Sequence, residues 1–118
     1  MTPEEVVDAA FAGFITGDPS AGLAHCAADA RWHPVTPGAG YAESLPVARY
    51  FSEALPMWLG KHADYSFEVV ERSTFDDLVI SKVRSNIGSG VMVSRVKDDK
   101  LTDIWSINNN GRDSVDGF

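Results

Sequence analysis

The stretch from Val91 to Asn108, VMVSRVKDDKLTDIWSIN, constrains this chain more than any other. Two runs of alternating apolar and polar residues, Val91–Val96 and Leu101–Ile107, flank the tetrad Lys97-Asp98-Asp99-Lys100. That is the pattern of a β-hairpin closed by an Asp-rich turn. Successive side chains of a strand point to opposite faces. The second run therefore sets Leu101, Asp103, Trp105 and Ile107 on one face, and Thr102, Ile104, Ser106 and Asn108 on the other. Apolar groups occur on both, which predicts a strand in mid-sheet with helices on one side and a partner or solvent on the other.

The segments before this hairpin read as helices and then strands. Thr2-Pro3-Glu4-Glu5 combines a hydroxyl cap, proline at the first helical position and carboxylates at the positive dipole end. Val6, Val7, Ala10, Phe11, Phe14 and Ile15 follow at helical spacing, and Gly17 ends the helix. Asp18-Pro19-Ser20 starts a shorter helix to about Ala28, and Ala30–Val35 reads as a short strand. Ser44 is the expected cap of a third helix carrying Val47, Tyr50, Phe51, Ala54, Leu55 and Trp58, with Gly60 at its end. From Tyr65 the period changes from 3.6 to 2, and Tyr65–Arg72 and Leu78–Ser85 join the hairpin as strands. The order predicts an α+β fold: a single domain, residues 1–118, with a curved antiparallel sheet wrapped around three N-terminal helices. Such a sheet leaves a conical cavity, a natural place for a small hydrophobic molecule.

Composition excludes several classes. A net charge of −7 speaks against nucleic acid or anionic membrane surfaces as partners. No apolar run approaches the ~20 residues of a membrane span, and the acidic start lacks the basic region of a signal peptide, so a cytoplasmic protein is expected. Cys26 is the only cysteine, so no disulfide forms within the chain, and its apolar helical setting predicts a buried structural thiol. His25, His33 and His62 lack metal-ligand spacing, so no metal is expected. Gly88-Ser89-Gly90 lies between strands and does not make a phosphate loop, so no cofactor is expected.

Two segments resemble the SnoaL-like branch of the nuclear transport factor 2-like superfamily, which shares a cone-shaped, cystatin-like fold with ketosteroid isomerases. Asp29-Ala30-Arg31-Trp32-His33-Pro34 is similar to the branch's D-x-x-W-H-x-P-G signature, with one residue missing before the proline. Leu101-Thr102-Asp103-Ile104-Trp105 with Ser114-Val115-Asp116-Gly117-Phe118 is similar to its closing pattern, an I-x-E-x-W strand leading to a V-D-E-F tail. The resemblance implies that His33 stands at the cavity mouth, near the position of the isomerases' aspartate base. It also implies departures. The isomerases' first-helix tyrosine corresponds to Ala10, and their assisting aspartic acid to Met92. The last-strand aspartate of epoxide-hydrolase-like and cyclase-like relatives corresponds to Ser106. Losing a carboxylate base and an oxyanion donor pair removes groups that lower the barrier to proton abstraction.

Two functions follow as expectations. One is a SnoaL-like enzyme (isomerase, cyclase or hydrolase) acting by acid–base chemistry on a hydrophobic substrate in the cone. His33 would transfer the proton, Phe14, Tyr50, Trp58 and Met92 would form the walls, and Ser106 and Asn108 would make polar contacts. The other is a binding or accessory protein of the same fold without catalytic carboxylates. Lys82 and Arg84 share one strand face and bind an anion only if that face lines the cavity; otherwise they are surface charge. Trp105 beside Asp103 reads as a homodimer contact, because a large aromatic on an outer sheet face needs covering.

Overall fold

The computed structural model describes residues 1–16, 18–35, 44–54, 56, 60, 66–85 and 88–108. Among these, helix α1 spans Pro3–Ile15 and α2 spans Pro19–Leu23. Strand β1 (Cys26–Val35) leads, after the undescribed residues 36–43, to a two-residue β2 (Leu45–Pro46). A single α-turn, α3 (Val47–Arg49), then runs into a π-helical turn over Tyr50–Ala54. Four strands complete the sheet: β3 (Phe67–Phe75), β4 (Leu78–Ser85), β5 (Gly88–Lys97) and β6 (Lys100–Asn108). Their order is β2-β1-β6-β5-β4-β3. Every neighbouring pair is antiparallel except β1 and β6, so the sheet is mixed where an antiparallel one is expected.

The start of α1 is a reciprocal capping box. Glu5 N donates to Thr2 Oγ1 at 3.2 Å, and Thr2 N donates to Glu5 Oε1 at 2.8 Å. The Thr2 backbone N–H holds the Glu5 carboxyl below its usual range. The box is therefore intact above the ordinary glutamate range and weakens as pH falls through the lowered value.

Two helices differ from the periodic reading, and both differences trace to strand pairing. Cys26 belongs to β1 and pairs with Leu101, while Leu101 N donates to the His25 carbonyl at 2.9 Å. Pairing with β6 overrides the helical preference of the alanines around it. Ser44 caps no helix. Its hydroxyl and carbonyl accept from Arg31 Nη2 at 2.8 and 2.7 Å, and the cap position of α3 is Pro46, at φ −56° and ψ 136°. The residue before a proline is biased to extended backbone, so Leu45–Pro46 pairs with Trp32 and Arg31 before the helix begins.

The core lies between α1, the turn at Tyr50–Ala54 and one face of the sheet. Trp32 stacks on Tyr50 with centroids 3.9 Å apart, Tyr50 meets Phe51 edge-on at 4.8 Å, and Phe51 meets Phe11 edge-on at 5.6 Å. This aromatic chain joins β1 to α1. Val6, Phe51, Leu101 and Ile104 are essentially inaccessible, and burying side chains of this kind contributes about 1.5–3 kcal/mol each.

The central hairpin turns through Asp98 (φ 51°) and Asp99 (φ 61°), both in the left-handed region required for a tight two-residue β-turn. Just beyond it the alternation is broken. Arg95 faces Asp103 and Val96 faces Leu101, so Thr102 is an extra residue on β6. The bulge carries Leu101 to the inner face with Ile104, correcting the expectation that it shares a face with Asp103. No helix among the described residues is long and apolar enough to cross a membrane.

Helix α1 packs on α2 through glycines. A Cβ built on Gly13 would stand 2.4 Å from the Gly22 backbone nitrogen, a contact with no flexible group to give way. Gly13→Ala should cost about 1–3 kcal/mol by overpacking, read as a lower urea midpoint with an unchanged m-value. An unchanged midpoint would refute this packing.

Candidate functional site

In-register neighbours share a face, so the pairing defines what each side of the sheet presents. Across the inner face run Arg72–Ser81–Met92–Ser106 and, beside them, Val79–Ser94–Ile104–Trp32. Across the outer face run Ile80–Val93–Trp105–His33 and, beside them, Leu78–Arg95–Asp103–Arg31.

A cleft of about 170 Å³ opens on the inner side between α1 and the sheet. Helix α1 lines it with Val7, Asp8, Phe11 and Ala12, strands β3 and β4 with Val69, Arg72, Ser81 and Val83, and β5 with Met92 and Ser94. Val69 and Arg72 are three residues apart and would point oppositely in a regular strand. The register slips between Val69 and Glu71, leaving Val70 unpaired, so Val69 faces Val83 and Arg72 faces Ser81. A bulge thus brings a guanidinium to an apolar cleft.

Arg72 Nη1 donates to Asp8 Oδ1 at 2.8 Å, and Nε donates to Ser81 Oγ at 3.2 Å. The side chain of Arg72 is 22% exposed and that of Asp8 62%, so the pair sits at the rim. Ser81 and Ser94 are both buried. The Ser94 hydroxyl has no hydrogen-bond partner among the described residues, an uncommon state for a buried polar group.

The second cluster lies on the opposite face. His33 Nε2 stands 2.9 Å from Asp103 Oδ1. An ionised carboxylate only accepts, so Nε2 carries the proton and Nδ1 of the neutral ring keeps its lone pair. The imidazole stacks on Trp105 at 5.0 Å and 18°, and the Arg95 guanidinium covers the same indole at 5.3 Å. Arg95 Nη1 is 3.8 Å from Asp103 Oδ2, and Thr102 Oγ1 is 3.0 Å from that oxygen.

The expected site residues divide between these faces. Met92 lines the cleft, Ser106 adjoins it in register, and Tyr50 is buried over Trp32. His33 is on the outer face, away from this cleft. Trp58 lies outside the described residues, as do the side chains of Phe14 and Asn108. Lys82 and Arg84 are exposed on the outer face, and Arg84 lies 3.8 Å from Glu68. The sequence reading passes over Arg72, Asp8 and Ser94: Arg72 lies beyond a bulge that reverses strand parity, Asp8 is on α1, and Ser94 follows Met92 in step on β5. The one sequence signal near Arg72 is the successive Val69-Val70, at the bulge itself. Cys26 is partly buried, and burial pushes its thiol up to about 11, against the nearby Lys100 charge. An unreactive structural thiol follows. Among the described residues no cluster of His, Cys, Asp or Glu could hold a metal ion.

Solved structures share this fold. An NTF2-like protein from Burkholderia thailandensis superposes with a TM-score of 0.72 at 20% identity, covering 92% of each chain. IdmH from Streptomyces antibioticus, described as a candidate polyketide cyclase, gives 0.68 at 23% identity over 93% of this chain and 94% of its own. TerC, co-crystallised with polyporic acid, gives 0.69 at 20% identity over 92% of each. The chain has the nuclear transport factor 2-like fold. The SnoaL-like resemblance read from Trp32-His33 and Asp103-Ile104-Trp105 accords with these neighbours. At such identities the likeness to them concerns the fold. No protein-family model matches the sequence, and comparison with curated proteins finds no match.

Proposed function

We propose that this chain binds a small, largely apolar molecule in the cleft between α1 and strands β3–β5, without transforming it. The observation that carries the reading is the cleft's composition. Its walls are mostly apolar, its two hydroxyls are buried, and its one carboxylate, Asp8, is engaged by Arg72. The cleft's described lining holds no buried general base: its one carboxylate, Asp8, stands at the rim with its side chain 62% exposed. An apolar cavity of about 150 Å³ holds a benzene ring, so about 170 Å³ suits one ring or the end of a longer molecule. The neighbour TerC, co-crystallised with polyporic acid, lends support from the fold.

A second reading is favoured by one specific feature. The Asp103 carboxylate orients His33 and leaves Nδ1 as an acceptor, an arrangement suited to proton transfer. In that reading the protein is an acid–base isomerase, cyclase or hydrolase acting beside Trp105. With the cleft as the binding site, we further propose that the outer face forms a homodimer, because Ile80, Val93 and Trp105 present an apolar row across the sheet.

The cleft reading is tested by thermal shift with benzyl alcohol. Binding to the native state should raise the melting temperature of wild type and of His33→Ala. Ala12→Trp, at an exposed position on the cleft wall, should abolish the rise. An equal rise in Ala12→Trp, or none in wild type, would contradict the cleft. Turnover of a steroid, terpenoid or aromatic polyketide by wild type but not by His33→Ala would replace the binding reading with the second. For the dimer, sedimentation at micromolar concentration should show two copies for wild type and one for Trp105→Glu; a wild-type monomer refutes it.

A further inference from the structure

The binding reading leaves Arg72 without a role, and its hydrogen-bond count supplies one. A guanidinium carries five N–H donors in a planar fork. Among the described residues Arg72 uses one on Asp8 and one on Ser81. The remaining three N–H groups have no protein acceptor there. Asp8 is mostly exposed, so its bond to Arg72 competes with water and an ion pair of this kind holds weakly. Ser81, by contrast, is buried and fixes Nε to the floor of the cleft. The guanidinium is anchored at one edge by the sheet and closed at the other by an easily displaced carboxylate.

Resting on the cleft as the binding site, we propose that it selects one-ring carboxylates. The ring lies against Phe11, Val83 and Met92, and the carboxylate takes the Arg72 fork in place of Asp8. A carboxylate matches that fork with two parallel charge-assisted hydrogen bonds, which a neutral amide cannot reproduce. The cleft holds one ring, or the end of a longer molecule, so a single ring carrying the carboxylate is the part it recognises. Ser94 supplies a second, deeper contact: its buried hydroxyl is satisfied by a polar ring substituent. A purely structural Arg72, stapling α1 to the sheet through Asp8, would give no preference for charge.

Titration calorimetry with benzoate and benzamide separates the two roles. Wild type should bind benzoate roughly tenfold or more tightly than benzamide, with the preference shrinking as salt rises. Arg72→Gln should remove the preference while benzamide binding persists, which also shows that the variant folds. Asp8→Asn deletes the competing carboxylate and keeps the guanidinium, so benzoate should tighten severalfold. The best of the three hydroxybenzoates should exceed benzoate, and Ser94→Ala should erase that gain. Equal binding of benzoate and benzamide by wild type, or a preference that survives Arg72→Gln, overturns this inference and leaves the cleft as a neutral binding site. Binding of neither molecule overturns the cleft reading together with it.

Discussion

The alternation of β1 at Trp32 and His33 governs how this molecule is built. Adjacent residues on a strand cannot share a face. Trp32 goes inward, where it stacks on Tyr50 and anchors the aromatic chain through Phe51 to Phe11. His33 must then go outward, where Asp103 and Trp105 receive it across the parallel β1–β6 pairing. Reversing the alternation would empty the core of its largest buried side chain, at a cost of about 3–5 kcal/mol for a lost large aromatic. The imidazole's position is thus set by the core, and the inner cleft is left to other chemistry.

That chemistry depends on two bulges. The extra residue at Thr102 turns Leu101 inward and keeps Asp103 outward beside His33. The slip at Val70 turns Arg72 inward beside Ser81. A regular sheet of the same sequence would present Arg72 to solvent and leave the cleft without a cation. Bulges are common near functional sites for this reason: one unpaired residue re-aims every side chain beyond it.

These two devices also mark how far the sequence can be read. Strand existence, the hairpin at Asp98-Asp99 and the apolar stripe of α1 follow from local periodicity, which Val91–Val96 and Val6–Phe11 express without interruption. Met92 was singled out by the family resemblance, and the undisturbed parity of β5 up to Ser94 sets it beside the cleft. Arg72 was not legible, because a bulge reverses parity without altering composition. Ser44 misled for a related reason. A serine before Pro46 looks like a cap, yet its partner is Arg31, thirteen residues earlier. Long-range partners of this kind leave no local trace.

The separation of the two faces is most directly tested by NMR. During titration with benzyl alcohol, methyl resonances of Val7, Val83 and Met92 should shift together and saturate, while the His33 ring resonances stay in place. Shifts centred on the His33 and Trp105 rings, with the Met92 and Val83 methyls unmoved, would place the ligand on the outer face and contradict the account.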